Sequence, residues 1–131
     1  MKKAQFFGLL TKLHQLTTKE RDRLNEDRES QCSAAVAEAL QVIESKWAFQ
    51  VISQLYYGSQ RFNQLRRSVG EISVKSLTDV LRHLERMQVV HRHVFPTIPV
   101  SVEYSLTDKG KEYRKVLLQM REWGEKWTAL T

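Results

Sequence analysis

Between residues 61 and 86 the chain reads RFNQLRRSVGEISVKSLTDVLRHLER. Arg61, Arg66 and Arg67 load the first half of this stretch, and Lys75, Arg82 and Arg86 load the second. Lysine and arginine at this density can neutralise phosphates, and an arginine fork can also pair with the edge of a guanine. Ser73, Ser76 and Thr78 add hydroxyls that bond phosphates or bases, and Asn63 adds an amide. Asp79 is an acceptor that could take a cytosine amine or orient Arg82 or Lys75. The competing reading is a solvated basic face, which is the usual fate of such a charge pattern.

Other chemistries lack the residues to support them. No Gly-x-Ser-x-Gly, His-Glu-x-x-His, Cys-x-x-Cys or glycine-rich phosphate loop occurs, so an enzyme is not expected. His91 and His93 alternate along one strand-like run, and such a pair can bind zinc. No acidic or thiol ligand is near in sequence, so no metal and no cofactor are expected; weak phosphate contact at low pH suits the imidazoles better. One cysteine, Cys32, allows no internal disulfide and fits a reducing cytoplasm.

The elements that position the basic stretch follow from periodicity. Leu77, Val80, Leu81 and Leu84 fall on one arc at 100° per residue, with Lys75, Asp79, Arg82 and Arg86 opposite and Ser73 as a natural N-cap. Phe62, Leu65 and Val69 give the preceding run its buried side. Gly70 permits a sharp turn, and Ile72 can point back into the core. Two short helices around a glycine turn, the second with a polar outer face, form a helix-turn-helix pattern. Two strands follow, through VVHRHVF and SVEYSL, joined by the stiff loop PTIPV. A helix-turn-helix with such a hairpin predicts a winged helix: mainly α with a small β-hairpin wing.

The flanks are also read as helical. Phe6, Leu10 and Leu13 predict a first amphipathic helix, and Thr17 with Glu20 predicts a capping box opening a charged helix through KERDRLNEDRES. A third helix is expected through SAAVAEALQVIES and a fourth through KWAFQVISQLYYG. The final helix should open at Thr107-Asp108 and run over 107–128, carrying Tyr113, Val116, Leu117, Met120, Trp123 and Trp127 as a stripe. That stripe exceeds what a small core covers, which predicts a dimer surface; packing on its own domain is the alternative.

The chain resembles the HxlR-type winged-helix transcriptional regulators of bacteria. The resemblance rests on Lys46-Trp47, RFNQLRR at 61–67, Ile72-Ser73, LTDVLRHLE at 77–85 and PTIPVSVEYSLTDKG at 96–110. It implies a homodimer on an inverted-repeat operator, with a repressor's role. The helix from Val74 would enter the major groove, and the wing, Pro96, Thr97, Ile98 and on to Ser101, would touch backbone or minor groove. Lys46, Arg61, Arg66 and the wing should hold phosphates, Asn63, Ser73 and Thr78 should also contact DNA, and Lys75, Ser76, Asp79 and Arg82 should read bases. The terminal helices would dimerise through Phe6, Leu10, Leu13, Tyr113, Leu117, Met120, Trp123 and Trp127.

Three departures from the resemblance matter. Relatives often carry a cysteine near the place of Ala34, so Cys32, about two residues upstream, is either a redox or electrophile sensor or a small residue at a helix start. Glu44-Ser45 stand where relatives often have Gly-Gly, which loosens that junction or lets one longer helix run through. Ser101 stands where an arginine is frequent, which should weaken wing–phosphate contact.

The remaining bounds are simple. With 131 residues and a net charge of +6, the chain has room for one compact core and a bias toward anionic partners. Residues 1–31 are expected to form an N-terminal helical extension with dimer contacts, and 32–131 the winged-helix domain. No run approaches a membrane span, and MKKAQFFGLLTKLHQL lacks the continuous apolar core and cleavage site of a signal peptide, so a cytoplasmic protein without membrane contact is expected. The expected partners are double-stranded DNA, a second copy of the chain, and a small-molecule or electrophile effector. A winged helix that binds a protein or effector and holds DNA only weakly is the alternative. The fate of Lys75, Arg82 and Arg86 discriminates: exposed for DNA, or spent on Glu71 and Glu85.

Overall fold

A computed structural model describes residues 15–128. The order of elements is α1 (Thr18–Val42), α2 (Lys46–Leu55), β1 (Gln60–Arg61), α3 (Phe62–Val69), α4 (Val74–Arg86), β2 (Val90–Phe95), β3 (Ser101–Leu106) and α5 (Asp108–Thr128). The chain divides into two units, Met1–Leu40 and Gln41–Thr131. The amphipathic helix expected around Phe6, Leu10 and Leu13 lies outside the described residues.

In the first unit, the charged helix and the one expected after it are a single helix, α1. Its 25 residues contain neither Gly nor Pro, and the serines at 30 and 33 only mildly disfavour helix. The capping box is present. The Thr17 backbone N–H donates to Glu20 Oε2 at 2.8 Å, and the Glu20 N–H donates back to Thr17 Oγ1 at 3.3 Å. Ala39 is half-buried, and every other residue of α1 up to Leu40 is exposed.

The second unit is a winged helix. α2 is set off from α1 by Ile43–Ser45, with Ser45 extended at φ −148° as the N-cap, so no single helix runs through Glu44-Ser45. Its Ala48, Val51 and Ile52 are fully buried. Leu65 of α3 and Leu77, Leu81 and Leu84 of α4 close on them, with Ile72 between the helices, as the apolar arc requires. Burying each leucine contributes roughly 1.5–3 kcal/mol. Gly70, at φ +115°, makes the turn, and Ser73 Oγ accepts from the Ser76 N–H at 3.0 Å as the N-cap of α4.

The sheet order is β1-β3-β2, all antiparallel. β2 and β3 match the two expected strands. β1 was not expected: two residues carry no alternation, and this strand exists only because Gln60 and Arg61 pair with Tyr104 and Glu103. The register puts Val90 opposite Leu106, both buried, and His93 opposite Glu103 on the other face. α5 is seated by Thr107, whose hydroxyl donates to Gln88 O at 2.6 Å and accepts from the Gly110 N–H at 3.1 Å. Gly110 is obligatory there, because a Cβ would overlap the Val89 carbonyl oxygen.

Candidate nucleic-acid interface

α4 presents its polar arc as the sequence predicts. Lys75, Asp79, Arg82 and Arg86 are exposed, and Ser76 and Thr78 are half-buried at the edge of the arc. Capping engages Ser73, whose hydroxyl donates to Ser76 Oγ at 2.9 Å and thereby leaves the Ser76 proton free to point outward. Thr78 donates to the Val74 carbonyl at 2.7 Å and keeps its lone pairs as acceptors. Among the described residues, none of Lys75, Arg82 and Arg86 enters an ion pair; the pairs formed are His83–Glu44, Lys115–Glu112 and Arg121–Glu125. Glu71 and Glu85 do not consume the cations. The face therefore keeps its positive charge unneutralised by these carboxylates.

A groove of about 840 Å³ separates the start of α3 from the wing. Arg61, Asn63, Gln64 and Arg67 line one wall, and Thr97, Ile98 and Pro99 line the other. A smaller hollow of about 280 Å³ continues past Asn63 and Arg67 to Arg66 and the Gly70 turn. Asn63 and Arg67 line both, so a basic trough runs along α3. Arg67 was not among the predicted contacts, although it is exposed like Arg66; the arginine doublet was the signal that could have marked it.

Arg66 has a second duty. Its Nε donates to the Ile72 carbonyl at 3.0 Å and stitches the turn of the helix-turn-helix, a bond that does not use the two outer guanidinium nitrogens. At the wing tip Ile98 is fully exposed. Ser101 Oγ is buried, with no hydrogen-bond partner among the described residues. Lys46 stands elsewhere: its ammonium lies 4.9 Å from the Trp47 ring centroid, beside a cleft of about 570 Å³ lined by Ile43, Glu44, Phe49, Leu117 and Met120.

The remaining candidates are also placed. On the outer face of the wing sheet His93 packs edge-on against Phe95, with ring centroids 4.3 Å apart, and Glu103 stands directly across. Among the described residues, no three His, Cys, Asp or Glu side chains gather as metal ligands. Along α5, Leu117 is buried and Tyr113 half-buried, while Met120, Trp123 and Trp127 are about 47%, 68% and 51% exposed. Cys32 is exposed on α1. No helix among the described residues is long and apolar enough to cross a membrane.

The comparisons agree with this geometry. Residues 42–131 match the model of the family described as HxlR-like helix-turn-helix. The HTH-type transcriptional regulator YdeP of Bacillus subtilis is 41% identical over 92 residues, which cover 70% of this chain and 72% of that one. A transcriptional regulator of the MarR family from Enterococcus faecalis V583 superposes with a TM-score of 0.69 at 33% identity, covering 74% of this chain and 88% of the other. The oxidised form of the redox regulator HypR superposes with a TM-score of 0.64 at 41% identity, covering 70% and 95%.

Proposed function

The chain belongs to the HxlR-like helix-turn-helix family of transcriptional regulators, and from that premise we propose that it binds an inverted-repeat operator as a homodimer and represses the gene beside it. α4 enters the major groove, where Lys75, Ser76, Asp79 and Arg82 read base edges. Arg61, Asn63, Arg66 and Arg67, along the trough, and the wing at Thr97–Pro99 hold phosphates and set the register. The observation that carries this reading is the set of unspent cations on the outer arc of α4. Cations spent on Glu71 and Glu85 would have favoured the protein-interaction module, and Lys75, Arg82 and Arg86 pair with neither.

The dimer is supported by the exposed stripe of Val116, Met120, Trp123 and Trp127, which in water favours a covering partner. Two recognition helices would then enter successive major grooves about 34 Å apart, and a change in dimer angle would release DNA. The cleft beside Lys46 and Met120 is where a small effector would act on that angle. HypR is a redox regulator, and Cys32, exposed on α1, is the residue through which an oxidant or electrophile would act here.

Fluorescence anisotropy with a duplex from the region upstream of the gene, against a scrambled duplex across a salt series, tests the reading. The expected result is binding to the native sequence about a thousandfold tighter, with a steep salt slope. Weak and equal binding to both duplexes would instead favour the protein-interaction module.

A further inference from the structure

His83 follows Arg82 directly, yet its side chain turns inward and is only 13% exposed. Its Nε2 lies 2.6 Å from the carbonyl oxygen of Gln41, and its Nδ1 lies 3.6 Å from Glu44 Oε1. Both acceptors belong to the segment where α1 ends and α2 has not yet begun. Gln41 is the penultimate residue of α1, so its carbonyl is one of the last four that no helical N–H can reach. The last turn of α1 has no basic residue of its own. The imidazole of α4 supplies the missing donor across 42 residues of sequence.

The consequence falls on α4. Its inward contacts through Leu77, Leu81 and Leu84 are apolar, and apolar contacts resist separation more than they resist rotation or sliding. A short hydrogen bond is directional and fixes both. His83 lies four residues after Asp79 and seven after Ser76, so it shares their stripe of the helix. Side chains that read base edges must be held to about half an ångström. Locking one point of that stripe to the end of α1 sets the angle at which the outer arc meets DNA.

We infer that His83 is a positioning residue for DNA recognition: it touches no DNA, and by clasping the Gln41 carbonyl beside Glu44 it fixes the rotation and seating of α4. This rests on the reading of α4 as the recognition helix. A carbonyl oxygen can only accept, so Nε2 carries the proton that it donates to Gln41, and Nδ1 faces the Glu44 carboxylate.

The test uses the full chain and a duplex enriched by the wild-type protein from a random-sequence pool, with a scrambled duplex as the non-specific probe. His83→Ala is expected to lower the ratio of specific to non-specific affinity about tenfold, the worth of one directional hydrogen bond, with the salt slope unchanged. His83→Gln, whose amide can still donate to a carbonyl, should recover most of that ratio. Thermal melting of each variant separates this from simple loss of stability, which would lower the bound fraction on both duplexes together and overturn the inference. An unaltered ratio in His83→Ala, or a glutamine variant no better than alanine, would also overturn it. If the wild-type protein enriches no duplex, the reading of α4 fails and the inference fails with it. Discrimination by wild type that His83→Ala preserves overturns the inference alone.

Discussion

The two units of the chain are helical for different reasons. From Val42 onward every helix and each of the two longer strands places at least one residue in a shared apolar core. From Thr17 to Leu40 no described residue is buried, and Leu24, Val36 and Leu40 are among the exposed apolar side chains. The winged helix is held by burial, and its outward charges are therefore free to serve a ligand. α1 is held by local devices: the Thr17–Glu20 capping box, the Arg21 guanidinium donating to the Leu16 carbonyl at 3.2 Å, and a run without Gly or Pro. Helices of that kind are marginal in water unless something covers them. On the proposed reading, the winged helix offers its charged arc to DNA, and α1 offers its exposed apolar side chains to a second chain.

Breaking the core should give the largest effect. Leu77 is fully buried beneath the polar arc of α4, and Leu77→Ala should cost about 2–5 kcal/mol in urea unfolding. A loss confined to DNA binding, with no change in the unfolding midpoint, would mean that the arc does not depend on the packing beneath it.

The next effect sharpens the contrast within the winged helix, between reading and holding. Arg82→Ala should remove about 1–3 kcal/mol of discrimination at one base pair. Arg66→Ala should weaken all sequences alike and reduce the salt slope by about one. It should also cost roughly 0.5–1.5 kcal/mol of stability, because its Nε holds the Ile72 carbonyl. Identical profiles for the two variants would show that the trough along α3 and the arc of α4 are not separate surfaces.

A smaller effect belongs to the first unit. Deleting residues 1–16 removes Phe6, Leu10 and Leu13 and should raise the dimer dissociation constant about tenfold in sedimentation equilibrium. A dimer of unchanged strength would sever that segment from the interface and leave the exposed α5 stripe as its whole basis.

What the sequence revealed, and what it hid, follows the same division. The positions of Leu77, Leu81 and Leu84, the Ser73 cap and the strand at 101–106 were all legible, because a core imposes periodicity and a cap imposes a residue type. The fusion of two expected helices into α1 was hidden, since serines that can cap a helix can also lie within one. β1 was hidden because two residues acquire strand geometry only from β3. The clasp from His83 to Gln41 was hidden as well. A histidine on the flank of an amphipathic helix has no local signature, and its partner is a backbone carbonyl that any residue could have supplied. In the binding surface the charged arc could be read residue by residue, but the trough that adds Arg67 to it emerges only when the wing is folded against α3.

The smallest effect tests whether α1 rests on its cap. The Thr17 backbone N–H, and then the Thr17 hydroxyl at 2.9 Å, hold the Glu20 carboxyl below the usual carboxylate range. A carboxylate whose folded pKa is depressed stabilises the fold above its unfolded value, and that contribution disappears as pH falls through the folded one. Acidification should therefore fray the first turn of α1 before it touches the winged helix, seen as loss of amide protection confined to the first turn. Thr17→Ala removes the hydroxyl but keeps the backbone donor, which is the larger cause, so Glu20 should still titrate below the ordinary range, only less far. Glu20→Gln abolishes the titration and should make the protection of that turn independent of pH. If the first turn of that variant still frayed in acid, the capping box would not be what starts α1.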